Sequence, residues 1–335
     1  MVKEKSAGWN GISKLLLKRV LASLVVLFLM ITFLFFLLRI APGDPSQKFV
    51  SPDLSPRLAA MVRQSFDLNS SLLDQYKTFI LNLSKGNFGI SYTYQVPVIE
   101  VIGQFLPFTI IFSLICFVIQ ISCGFVLAKF VVKNINGPRD KIISKASLMV
   151  YAMPSFVIGV ALILIFSVWL NIFPSSGLSS FDFSSYNFFQ KIFDYVRHMV
   201  LPVITLSFGG IAVYYKYLRD NLEEVYNKSF VENLRAHGFE EKVITRKHVI
   251  PNAVSPLIAV AGVELGLLFG GALITEVIFA LPGMGRLTVN AILSRDYPLV
   301  LGCTFVSGVL IIITNLAADL LKAKMDKRIV KGILN

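Results

Sequence analysis

The sequence predicts an all-α integral membrane protein with six transmembrane helices. A small extracytoplasmic subdomain lies between the first two, and a polar cytoplasmic element lies between the fourth and fifth. Three observations carry this reading. Of the 335 residues, 55% are hydrophobic and only 16% charged, too apolar a balance for a soluble globule. Six stretches, 20–38, 105–128, 146–170, 199–215, 253–280 and 299–318, are long and apolar enough to cross a bilayer, which takes about 20 residues. Lys and Arg are also divided unevenly between alternate connections, 22 on the side of the amino terminus and 10 on the other. The positive-inside rule therefore puts both termini in the cytoplasm. The net charge of +12 is explained by this topology and requires no nucleic acid.

The first apolar run follows Lys14, Lys18 and Arg19, as the core of a secretory signal would. It is longer than the roughly 7–15 residues of such a core and leads into Arg39-Ile40-Ala41-Pro42 without a small-residue cleavage site, so it reads as a retained span. Residues 41–104 form the largest outer segment. It opens with the turn-rich Ala41-Pro42-Gly43-Asp44-Pro45. Ser55-Pro56 then starts one helix, as an N-cap followed by proline at the first helical position. Leu72, Leu73, Tyr76, Phe79, Ile80 and Leu83 supply the apolar face of a second helix that stops near Gly86. GNFGISY, at 86–92, reads as a turn and a short extended piece. Either a landing surface for a delivery protein or a lid packed on the spans fits this subdomain.

The permease-like core, 105–322, follows, with a tail at 323–335. A basic loop at 133–141 turns on Asn136-Gly137-Pro138, and Pro154 is expected to kink the third span. Residues 171–198, rich in Ser, Phe and Tyr, suit the membrane interface. Cys116, Cys123 and Cys303 all fall in apolar runs, which fits buried small hydrophobes better than a disulfide framework or a metal cluster.

Polar residues return between the fourth and fifth spans. Leu218, Leu222, Val225, Tyr226, Phe230 and Leu234 recur at intervals of three and four, the stripe of one continuous helix lying against something. Gly238 ends it. A second short helix starts at Glu240 and Glu241 and finishes at Arg246, Lys247 and His248, acids first and bases last as the helix dipole favours. Pro251 closes the unit. Such a helix, glycine, helix elbow is stiff enough to pass a push between the membrane and a soluble partner.

The fifth span carries Gly262, Gly266 and Gly270 at every fourth residue, the stripe that lets two helices approach closely. Glu264 lies about 200° from Gly262 at 100° per residue, opposite that stripe. A mid-span acid costs about 2.5–3.5 kcal/mol on insertion scales, so Glu264 either faces a wet path or is hydrogen-bonded between helices. Glu276, near the outer end, is explained by a pairing with Arg286 or with a backbone amide.

Four stretches, in order, resemble one family: APGDP at 41–45, GNFGISY at 86–92, the elbow, and EVIFALPGMGRL followed by RDYPLV at 276–300. Over nearly its full length the chain resembles the B-type membrane subunit of dipeptide, oligopeptide and nickel importers, within the binding-protein-dependent ATP-binding-cassette transport family. The resemblance implies a type I importer permease fold. It also implies that Glu232, Asn233, Leu234, Arg235, Ala236, His237 and Gly238 form a coupling helix, seated in a groove of a cytoplasmic ATPase, in the position of the family's E-A-A-x-x-x-G motif. Ile250-Pro251 matches the hydrophobic-proline pair that closes that motif. Asn233 and Leu234 stand where two alanines are usual, and His237 where lysine is common, which leaves the identity of the partner open. A homologous second permease, two ATPase chains, an extracytoplasmic solute-binding protein and a bacterial inner membrane are implied as the setting.

The function expected is that of a permease subunit without catalysis of its own. No P-loop occurs, so no nucleotide cofactor is expected on this chain and ATP would be used by partner subunits. A gradient-driven transporter, with Glu264 and Glu276 as ion sites, is the alternative. An embedded enzyme is disfavoured, because H-E-x-x-H and G-x-S-x-G are missing and His198, His237 and His248 lie far apart.

Overall fold

The computed structural model describes residues 9–40 and 71–325. The turn expected at 41–45, the helix expected from Ser55 and most of the tail lie outside the described residues. Among the described residues the regular structure is all helical, apart from one isolated bridge between Ile90 and Pro97. The long helices are α1 (Trp9–Ile40), α3 (Val98–Val131), α6 (Phe188–Tyr226), α10 (Leu257–Gly271) and α13 (Tyr297–Met325). Between them lie α2 (Leu72–Ser84), α4 (Pro138–Ala152), α5 (Ser155–Leu162), α7 (Ser229–Ala236), α8 (Glu241–Ile244), α9 (Ile250–Val254), α11 (Leu273–Ile278) and α12 (Met284–Leu293).

Five segments are long and apolar enough to cross a membrane, and a sixth is obtained if α4 and α5 are counted as one bent span. Here the structure departs from the kink expected at Pro154, because the two helices meet at 97°. Proline has no N–H to continue the ladder and biases the residue before it away from helical geometry. Met153 is accordingly extended, at φ −83° and ψ 129°. α4 and α5 thus form a jointed rod that continues beyond α5 as a π-helical turn, Ile163–Trp169.

α2 forms as expected. The Ser71 hydroxyl accepts from the Asp74 N–H at its start, and Gly86, at φ +73°, follows its end. It lies on α1, where Phe35 stacks on Phe79 with centroids 5.1 Å apart and Arg39 donates to Gln75 at 2.6 Å. The GNFGISY turn and the start of α13 meet directly. Asp296 is fully buried and accepts from Ser91 Oγ at 2.5 Å, the Thr93 N–H at 2.9 Å and the Leu299 N–H at 3.2 Å. One carboxylate therefore caps α13 and holds the turn at 86–92 beside it.

α3 packs along α6, and α10 packs along α13. The second contact is made by the small-residue stripe. A Cβ on Gly262 would lie 2.1 Å from that of Ala318, and one on Gly266 would lie 2.8 Å from the Thr314 hydroxyl. Helices approach this closely only where the side chain is a hydrogen. The surroundings of Gly270 lie outside the described residues. The fifth crossing is also shorter than expected, Val260–Ile278, with a helix break at Ser255-Pro256 before it and a turn at Ala272 within it.

Candidate functional site

The elbow is built from α6, α7, α8 and α9 around one apolar cluster. Leu218, Leu222 and Val225 of α6, Val231 of α7, Ile244 of α8, Val249 of the turn that follows, and Ala253 of α9 are all buried together, with Phe230 and Leu234 packed against them. The stripe expected as one helix is in fact two. α6 ends at Tyr226, Lys228 is extended at φ −81° and ψ 142°, and α7 begins anew at Ser229. Both helices bury their apolar face in the same cluster, which is why the periodicity runs through the break.

Gly238 ends α7 as expected, and in a specific way. Its N–H bonds to the Arg235 carbonyl at 2.9 Å, and the Phe239 N–H bonds to the Leu234 carbonyl at 3.1 Å. These are the 5→2 and 6→1 bonds of a Schellman motif. Gly238 sits at φ +77°, and a Cβ there would meet nothing within 4 Å. Backbone conformation, and not space, selects glycine. The elbow continues through a π-helical turn, Thr245–Val249, in which Ile250 N–H reaches the Thr245 carbonyl. Pro251 does not close the unit as expected, since it lies inside α9, two residues after the π-helical turn, and the helix runs on to Val254.

The exposed face of α7 consists of Glu232, Asn233, Ala236 and His237, followed by Gly238 and Phe239, with Leu234 half-buried behind it. Phe239 keeps 49% of its surface exposed, a large apolar side chain at the rim of a polar helix. His237 Nδ1 and its own N–H both approach the Asn233 carbonyl, at 2.7 and 3.0 Å. Arg235, also exposed, reaches along the surface to the next helix. Its Nε and Nη2 donate to the two carboxylate oxygens of Glu241, at 3.1 and 2.9 Å, and its guanidinium lies 5.8 Å from the Tyr226 ring centroid. The Tyr226 hydroxyl is hydrogen-bonded to that of Thr245, which donates to the Glu241 carbonyl at 2.8 Å. Tyr226, Glu241 and Thr245 thus fix α7 between its neighbours. Sequence reading placed Tyr226 in the apolar stripe and Glu241 at the start of the second helix but gave neither them nor Thr245 this role, although opposite charges flanking Gly238 were a signal.

A buried ion pair lies next to the elbow and was also missed. Asp140 of α4 is 1% exposed and pairs with Arg219 of α6 at 2.8 Å. The two are separated by 79 residues, so no local pattern announces them.

Glu276 is fully buried. It accepts from Thr109 Oγ1 at 2.8 Å and from the N–H groups of Gly285 and Arg286 at 2.7 and 3.1 Å. Of the two pairings expected, the backbone one forms, and the carboxylate caps the start of α12, where an anion is favoured. The Arg286 guanidinium reaches the Ala280 carbonyl instead. A Cβ on Gly285 would fall 2.3 Å from Leu273 Cα, which accounts for glycine in this motif. A cavity of about 140 Å³ borders the same carboxylate, with Thr109, Thr288, Thr304 and Ser307 in its wall. Glu264 is half-buried and lies on α10 away from the glycine stripe. No hydrogen bond to Glu264 forms among the described residues.

Comparison with known proteins places the chain in one family. Residues 120–331 match the family described as "Binding-protein-dependent transport system inner membrane component", and residues 12–114 match its N-terminal counterpart. The chain is 32% identical over 315 residues to the oligopeptide transport system permease protein AppB of Bacillus subtilis, covering 94% of this chain and 98% of that one. It is 33% identical to the oligopeptide permease OppB of Haemophilus influenzae, covering 94% and 99%. It is 31% identical to the nickel import system permease NikB of Staphylococcus aureus, covering 95% and 92%. A solved chain of the MetNI methionine ABC transporter, in an inward-facing conformation, aligns with a TM-score of 0.47 at 18% identity over 68% of this chain and 96% of that one.

Proposed function

The chain belongs to the family of binding-protein-dependent transport system inner membrane components, and from that membership we propose how it works within an ATP-driven importer. It is the membrane-spanning permease subunit, and the solute moved is a di- or oligopeptide or a related small solute such as a nickel chelate. Relatives named for those solutes align over almost their whole length.

Residues 232–238 form the coupling helix. Glu232, Asn233, Ala236 and His237 meet a groove on a cytoplasmic ATPase, and Leu234 and Arg235 hold the helix to its own subunit. The observation that carries this is the pinning of α7. It is exposed on one face and held by Val231, the Arg235–Glu241 pair and the Schellman turn at Gly238. A helix held in this way moves its neighbours when it is pushed.

ATP is bound and hydrolysed on two partner chains, and this chain carries no cofactor and no catalytic residue. A homologous second permease completes the pathway, and a solute-binding protein delivers from outside. The chain lies in a bacterial inner membrane with both termini in the cytoplasm, which puts α7 on the ATPase side. Glu264, with no hydrogen bond of its own among the described residues, lines the path. Glu276 already holds three donors, which leaves little to recommend it as an ion-coupling site.

The test is uptake into proteoliposomes containing the assembled complex, with cysteines at positions 232 and 236 for crosslinking. Uptake that requires ATP, together with crosslinks to the ATPase chain, is expected. Uptake driven by a proton gradient alone, with ATPase chains and ATP removed, would overturn the reading.

A further inference from the structure

Asp140 is the third residue of α4 and collects five donors. The Asn136 N–H lies at 2.8 Å, Ser144 Oγ at 3.1 Å, Tyr215 Oη at 2.8 Å, and Arg219 Nε and Nη2 at 3.1 and 2.8 Å. Arg219 also donates to Asn136 Oδ1 at 2.8 Å, to Asp220 at 3.2 Å and to Glu223, and Asn136 Nδ2 donates to Glu223 at 2.7 Å. Breaking a buried pair leaves an unpaired buried charge, so such a cluster holds its two elements in a single arrangement.

Its place in the fold gives it a role beyond holding. Arg219 stands two turns before Tyr226 on the same face of α6, and Tyr226 is bound into the elbow through Arg235 and Thr245. Among the described residues α4 packs chiefly on α6, and its outward side chains Ile142, Leu148, Met149 and Tyr151 are exposed. α4 leads into the 97° joint and then α5, where Gly159 lies against Thr205 of α6 and Phe279 beyond α11.

We propose that Asp140 and Arg219 are positioning residues of the ATP-coupled step. Their pair makes α4 follow α6 when the coupling helix is displaced, so that the motion reaches the jointed α4–α5 rod. This inference rests on the importer reading above.

The experiment compares Asp140→Asn, Arg219→Gln and the double variant in the complete complex, reconstituted with its own ATPase chains and binding protein. Solute moved per ATP hydrolysed is the readout, alongside co-purification of the ATPase and basal hydrolysis. Each single variant is expected to assemble and to hydrolyse ATP while its transport-to-hydrolysis ratio falls between about 2- and 30-fold. The double variant should fall no further than the worse single one, because the pair acts as a unit. An unchanged ratio in the single variants, or falls that multiply in the double variant, would overturn the proposal.

If Asp140→Asn does not accumulate, Tyr215→Phe removes one donor and leaves the ion pair. It is expected to lower the ratio less but in the same direction, and an unchanged ratio there counts against the proposal equally. ATP-independent uptake by the wild-type complex would overturn the importer reading and this inference together. ATP-dependent uptake with an unchanged ratio would overturn this inference alone.

Discussion

Arg235 and Glu241 face each other across Gly238, with two guanidinium nitrogens on two carboxylate oxygens at 3.1 and 2.9 Å. The pair joins the last turn of α7 to the first of α8. It bridges the two helices on their exposed side.

The hydrogen bonds from Arg235 hold the Glu241 carboxyl below its ordinary value, and those to Glu241 hold Arg235 above its own. A carboxyl lowered on folding stabilises fully above the ordinary carboxylate range, and the contribution is lost as pH falls through the lowered value. Both side chains are about half exposed, so the pair is worth under about 1 kcal/mol. Glu241→Gln is expected to shift the unfolding midpoint by no more than about 4 °C and to remove the acid-dependent loosening of the Gly238 and Phe239 amides in hydrogen exchange. A double-mutant cycle with Arg235→Gln giving more than about 3 kcal/mol would contradict this.

At Gly238 the choice of substituent separates conformation from size. Asparagine tolerates φ > 0 and a β-branched residue does not. Gly238→Asn is expected to keep most transport. Gly238→Val should insert at near-normal abundance yet lose transport and substrate-stimulated ATP hydrolysis. Equal transport in the two variants would reduce Gly238 to an ordinary turn.

Gly285 presents the opposite case, since an added methyl group there meets the backbone of Leu273 at 2.3 Å. Gly285→Ala is expected to lower the amount of folded protein in the membrane, measured by protease resistance. Glu276→Gln, which turns an acceptor toward two N–H groups into a partial donor, should cost about 1–3 kcal/mol. Normal abundance of both variants would mean that this corner can rearrange.

For Glu264, replacement by glutamine keeps size and removes charge. A changed ranking of cationic, neutral and anionic peptides in competition uptake is expected if the carboxylate lines the path. An identical ranking at an identical rate would make it a structural residue.

How much of this was legible in the sequence varies by feature. The spans, α2 and the end of α7 were readable because each is written in adjacent residues: an apolar run, a stripe with a turn, a glycine. The backbone pairing of Glu276 was one of two readable options. The joint at Pro154 was foreseen only as a bend, because a proline signals a lost hydrogen bond but not the angle that follows. The break at Lys228 was hidden by a stripe that serves two helices in one cluster. The Asp140–Arg219 and Asp296–Ser91 contacts join residues 79 and 205 positions apart, and nothing in a single sequence pairs them.

α6 is one unbroken helix of 39 residues, about 58 Å long at 1.5 Å per residue, nearly twice the roughly 30 Å of a bilayer's hydrocarbon. Its two ends therefore stand clear of the lipid on opposite sides, with the elbow attached to one of them. Pro202 lies within the helix without ending it, and a tilt of about 10° over that length displaces one tip by about 10 Å relative to the other. A small rocking at the end that carries the elbow is thereby magnified into a large displacement at the other.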